Sequence, residues 1–151
     1  MSQSRMGTHG KRFVILGGIG MLVLAGFVAA CDCLPPPPPK EAMAKSAAVF
    51  LARVVKVVDD PAGAERTVTL DVERWWKGDK AKMITVSTAK SGAACGYGFQ
   101  VGSRYLVYAH AEGKKKDLHV SLCSRTRTAE QAEMSGDFKQ LGEGKPAQAK
   151  K

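Results

Sequence analysis

The chain contains no serine-nucleophile motif, no phosphate-binding loop and no zinc-protease helix. Its 151 residues are too few for separate cofactor and substrate domains. No Cys-x-x-Cys pair occurs, which argues against a zinc finger or a thioredoxin-type redox centre. Carboxylate pairs are present at Asp59-Asp60 and at Asp71 with Glu73, but the first sits in a turn with Pro61 and the second lies on a solvent face without a catalytic His or Lys. These absences together exclude the common enzyme classes, so the chain is expected to bind rather than catalyse and to carry no cofactor of its own.

Acidic residues are scarce, 14 against 23 Lys plus Arg, giving a net charge of +9. Part of that excess belongs to the first 30 residues. Arg5, Lys11 and Arg12 precede an apolar stretch, Phe13 to Phe27, and Val28-Ala29-Ala30 supplies small residues before a cut, the pattern of an export signal; an uncleaved anchor helix is the alternative. Cleavage after Ala30 leaves residues 31–151 with 20 basic and 14 acidic side chains. Such a mildly basic exported surface suits polyanions or an anionic membrane face, or serves only for solubility, and makes nucleic acid a poor partner.

All four cysteines, Cys31, Cys33, Cys95 and Cys123, lie in the mature part. An even number in a small exported domain implies two disulfides. Pairing of Cys31 with Cys33 would strain a ring with one intervening residue, whereas pairing each with a distant cysteine closes loops worth on the order of 4 kcal/mol apiece.

The mature chain opens with a stiff polyproline run, Pro35 to Pro39, followed by an Ala-rich helix over Glu41 to Ala48. Strands are predicted over Val49–Val58, Arg66–Trp75, Met83–Thr88, Ser103–His110 and Leu118–Cys123, the last two forming a hairpin around Glu112 to Lys116. Residues 89–102 read as a connector pinned by Cys95. Thr128 with Gln131 forms a capping box that opens a helix running to about Leu141, and 142–151 reads as a disordered basic tail. His110 and His119 face each other across the last hairpin in this reading, a pair that without a third ligand is structural; Trp75, Trp76, Tyr97 and Tyr105 close the barrel ends rather than forming a stacking platform. The expected fold is mainly β: one domain over 31–141, a closed antiparallel five-stranded barrel of the OB type with a short N-terminal and a C-terminal helix.

Cys31-Asp32-Cys33-Leu34-Pro35-Pro36 at the mature start, Val49-Phe50, Trp76-Lys77-Gly78, Cys95-Gly96-Tyr97-Gly98-Phe99, Tyr105-Leu106-Val107 and Leu118 to Cys123 resemble the N-terminal, netrin-like domain of the tissue inhibitors of metalloproteinases. The chain would be a single-domain, bacterial-type member. The resemblance implies disulfides Cys31–Cys95 and Cys33–Cys123. It also implies a secreted or periplasmic, monomeric inhibitor of a zinc metalloendopeptidase, in which the free amine and carbonyl of Cys31 chelate the protease zinc. Asp32 would enter the pocket beside that zinc, Leu34 and Pro35 would follow the cleft, and Ala93 and Ala94 would form the neighbouring contact. Asp32 departs from the small neutral residue usual at that position, and a third disulfide usual in that domain is absent. Val28-Ala29-Ala30-Cys31 also resembles a bacterial lipobox. That resemblance implies a lipid-anchored interaction module, because a lipidated sulfur and an acylated amine remove both the disulfide and the chelate.

Overall fold

The structure, a computed structural model, describes residues 31–114 and 117–148; the export signal expected over 1–30 lies outside them. The first two elements are a helix, α1 (Pro39–Lys45), and a long strand, β1 (Ala48–Asp59). Pro39 at the first turn of α1 supplies a preset backbone angle where its missing N–H costs nothing. The helix stops earlier than the expected Ala48. At Ser46 the backbone N–H and Oγ both turn back onto the Ala42 carbonyl, and the β-branched run opens three residues later at Val49.

β2 (Glu65–Lys77), β3 (Met83–Ala89), β4 (Arg104–Glu112) and β5 (Asp117–His119) complete a closed five-strand ring. β1 pairs with both β2 and β4, β2 with β3, β3 with β5 and β5 with β4. Every pairing is antiparallel except β3 with β5, which meet in parallel at Ser87 and His119. The expectation of a wholly antiparallel barrel is therefore corrected. A closed ring with an odd number of strands cannot alternate direction all the way round, so one parallel pair is unavoidable. Register shifts between Val49 and Phe50, Leu51 and Ala52, and Val54 and Lys56 bend β1 and let it serve two partners.

Strand β1 is buried on both faces over Ala48 to Ala52, which explains why its sequence does not alternate. Ala48, Phe50, Ala52 and Val54 point into the ring with Val68, Leu70, Val72, Trp75, Val86, Val107 and Val120. Val49 points outward and packs with Leu106, Tyr108, Ala42 and Ala132 beneath the helices. The long helix expected from Thr128 is instead two, α2 (Ala129–Met134) and α3 (Asp137–Leu141), following a two-residue strand β6 (Arg127–Thr128) on β4. The expected capping box is present, with Thr128 and Gln131 exchanging hydrogen bonds of 3.2 Å. The break falls at Gly136, whose φ of 69° suits glycine, and it turns Asp137 into the interior.

Two further differences concern chain ends of elements. β5 ends at His119 rather than Cys123, because the chain there changes partner: Val120 N–H donates to Ser87, Ser121 bridges Gly96, and Leu122 N–H donates to the Cys95 carbonyl at 2.7 Å. The tail expected to be disordered is ordered as far as Gln148. Lys145–Pro146 forms strand β7 against Trp75 and Arg74 of β2, and Gln148 N–H donates to the Lys80 carbonyl.

Candidate functional site

Residues 31–38 form an extended arm with no regular secondary structure, and covalent bonds fix where it lies. Cys31 is joined to Cys95 and Cys33 to Cys123, each with a Cα–Cα distance of 5.1 Å. The other pairing that the cysteine arithmetic left open, Cys31 with Cys33, is not used. Cys95 itself follows a 3-10 turn, Gly92–Ala94, capped by Ser91: its Oγ accepts from the Ala94 N–H at 3.2 Å, and the Cys95 N–H donates to Gly92 at 3.0 Å. Cys95 is left-handed, with φ 62°.

Gly96 lies so close to the backbone of Ala89 that a Cβ there would overlap the Ala89 carbonyl. Thr88 Oγ1, buried, accepts the Tyr97 N–H at 2.8 Å and holds the next residue down. Gly96→Ala is therefore expected to destabilise the domain by about 1–3 kcal/mol, the usual cost of overpacking, measured as a lower denaturant midpoint with an unchanged slope.

The two disulfides bring the arm to the 93–94 turn and to residues 121–123, which follow β5. Ala93 and Ala94 are exposed, as are Asp32, Leu34 and Pro35, while Cys31 and Cys33 are half-buried. Leu34 is 88% exposed, extreme for an apolar side chain in an ordered segment. Leu122 is 46% exposed and adjoins Cys123, as Leu34 adjoins Cys33 at the other half of the same bridge. Sequence reasoning did not single out Leu122. Alternation with Leu118 and Val120 would have put it inside, and only the change of partner after His119 turns it out.

A second group missed in the sequence anchors the far end of the arm. Arg125 Nη1 donates to the Pro37 carbonyl at 2.8 Å, while its Nε and Nη2 form a fork to the two carboxylate oxygens of Asp137 at 3.0 and 2.8 Å. Asp137 is fully buried and also accepts from Ser135 Oγ at 2.9 Å. Hydrogen bonding to Asp137 raises the Arg125 pKa further above its already high value. Burial, followed by the negative charge of Asp137, pushes the nearby Tyr108 phenol up to about 12. No sequence signal pointed to this group, because Asp137 lay inside the single helix expected from Thr128 to Leu141.

The remaining candidates are elsewhere on the ring. His110 and His119 are directly opposite on β4 and β5, as expected; His119 Nδ1 lies 3.0 Å from Ser87 Oγ and 3.2 Å from Glu112 Oε2, with Glu65 at 3.7 Å. Trp75 is a core residue against Phe50, and Tyr105 packs with Tyr97 and Phe99, so three of the four aromatic residues considered for a stacking platform are engaged with the interior. Trp76 stacks on Phe138 and donates its indole N–H to Gly142. No protein-family model matches the chain, and no curated protein matches it either.

Proposed function

We propose that this chain is an exported inhibitor of zinc metalloendopeptidases that binds through the mature N-terminus, Cys31, and that its ring is a netrin-like barrel of the OB type. The strand order β1-β2-β3-β5-β4 returning to β1 supports the fold reading. The observation that carries the functional reading is the arm itself. Two disulfides tie Cys31 and Cys33 down at the edge of the domain while the side chains of Asp32 and Leu34 remain exposed beside Ala93 and Ala94.

A catalytic zinc keeps one position open for water. With the signal removed after Ala30, the α-amine and carbonyl of Cys31 form a five-membered chelate that displaces that water, and Asp32, Leu34 and Pro35 follow into the cleft. The contribution of the domain is positional: an arm already ordered has little conformational freedom left to lose on binding. Asp32 sets the preference among targets, since a carboxylate entering an apolar pocket carries a desolvation cost that a basic or polar pocket offsets.

Titration of the Cys31 amine gives this reading a pH signature. An α-amine has an ordinary pKa of about 7.7–8.0, and only its neutral form binds a metal. Inhibition is therefore expected to be complete above that range and to weaken by roughly tenfold per pH unit below it, relative to a control inhibitor that does not ligate through an amine. The reading is tested by assaying a panel of zinc endopeptidases with residues 31–151 and by the intact mass of the natural mature chain. A mass equal to residues 31–151 less four hydrogens supports it. Lipid on Cys31 would overturn it in favour of an anchored module, because the thioether and the Cys31–Cys95 bridge need the same sulfur.

A further inference from the structure

The two disulfides are not separate cross-links. Cys31 Sγ, bonded to Cys95, lies 3.5 Å from Cys123 Sγ and 3.7 Å from Cys33 Sγ, the two sulfurs of the other bridge. The sulfurs of Cys31, Cys33 and Cys123 all fall within 4.8 Å of one another. Four thiolates around a zinc ion, at Zn–S distances of about 2.3 Å, occupy tetrahedral corners about 3.8 Å apart. Three of the four sulfurs thus already stand near the spacing of a thiolate metal site, and Cys95, bonded to Cys31 but outside that group of three, has to close in to complete it.

We propose that reduction of both bridges converts this cluster into a tetrathiolate site for a thiophilic cation, zinc(II) foremost, with Cys31, Cys33, Cys95 and Cys123 as its ligands. Each bridge takes two electrons and two protons: a dithiol supplies both and becomes a disulfide, whereas a phosphine supplies the electrons and becomes a phosphine oxide, with water giving the oxygen and the protons. The four thiols then bind one zinc ion and release four protons, and reoxidation by two equivalents of a small-molecule disulfide, each reduced to two thiols, restores both bridges and expels the metal. A donor set of sulfur alone selects zinc or copper(I) over calcium or magnesium. Each bonded pair must part to admit the ion, and the arm provides the movement. Residues 31–35 belong to no regular element and are half-buried to exposed, while Cys95 and Cys123 are held by the Leu122-to-Cys95 hydrogen bond and the Gly96–Ser121 bridge. Two ligands are therefore fixed by the ring and two arrive together on the Cys-x-Cys arm. The inference stands independently of protease inhibition, since it uses side-chain sulfur rather than the backbone of Cys31.

The test uses residues 31–151, reduced anaerobically with a phosphine and titrated with cobalt(II) and then zinc(II). The expected result is one metal per chain by native mass spectrometry, thiolate-to-cobalt charge-transfer bands with tetrahedral d–d bands, and displacement of cobalt by one equivalent of zinc. Cys95→Ser and Cys123→Ser are each expected to weaken zinc binding by about tenfold or more, and urea to weaken it by roughly a hundredfold, since an unfolded chain offers only the local Cys31–Cys33 pair. If reduction alone unfolds the chain, zinc is expected to refold it, read by circular dichroism. Any of three results overturns the proposal: no thiolate–cobalt spectrum, unchanged affinity in both Ser variants, or equal affinity in the oxidised and reduced chains.

Discussion

Adding a single alanine ahead of Cys31 is expected to abolish inhibition of a zinc endopeptidase, with a loss on the order of a thousandfold, while the melting temperature of the inhibitor stays unchanged. The extension converts the α-amine of Cys31 into an amide, which does not bind zinc, and moves the new terminus away from the position that the disulfides fix. A thousandfold loss corresponds to about 4 kcal/mol, a reasonable share for a metal chelate when the rest of the proposed contact surface is small, formed by Asp32, Leu34, Pro35, Ala93 and Ala94. The measurement is the inhibition constant of the extended and unextended chains against the same enzyme. Equal constants would remove the chelate from the account and leave the arm as an ordinary contact surface.

Arg125→Ala is expected to have the largest effect on stability of any single change discussed, about 3–5 kcal/mol, the range for breaking a buried ion pair by deleting one partner. Asp137 has no exposure, and without the guanidinium fork its carboxylate keeps only the Ser135 hydroxyl and Arg127 at 3.6 Å. The same change releases the Pro37 carbonyl, so the arm would be held at its cysteines but not at its base. Urea unfolding checks the first effect, and nitrogen-15 relaxation of the Leu34 amide, expected to show faster local motion, the second. Arg125→Lys retains charge without the planar fork and should fall between wild type and Arg125→Ala. A variant as stable as wild type would mean that the guanidinium fork on Asp137 contributes nothing to holding the folded chain together.

How much of this was legible in the sequence depended on how local the signal was. Val68, Leu70 and Val72 alternate on β2, and Val86 with Thr88 on β3, so these strands lie close to where the pattern put them. Thr128 and Gln131 announce the start of α2 through a cap that involves four consecutive residues. Its end was not legible, because the break at Gly136 exists to deliver Asp137 to Arg125, a contact set by tertiary packing. The tail was misread for a similar reason. Lys145 and Pro146 carry no strand signal, and they pair with β2 because Trp75 and Arg74 offer open backbone groups there. At the site, the arm and the four cysteines were visible as residues, but their pairing came only from the family resemblance. Leu122 and the Arg125–Pro37 anchor had no sequence signal at all.

Competition at the zinc is the measurement that bears most directly on the central claim. Binding of residues 31–151 to a susceptible zinc endopeptidase should be measured with and without a small active-site inhibitor that ligates the same metal. Mutual exclusion is expected, with the apparent dissociation constant rising in proportion to the concentration of the small inhibitor. Simultaneous binding of both, with an unchanged dissociation constant, would contradict it, because Cys31 would then lie away from the metal.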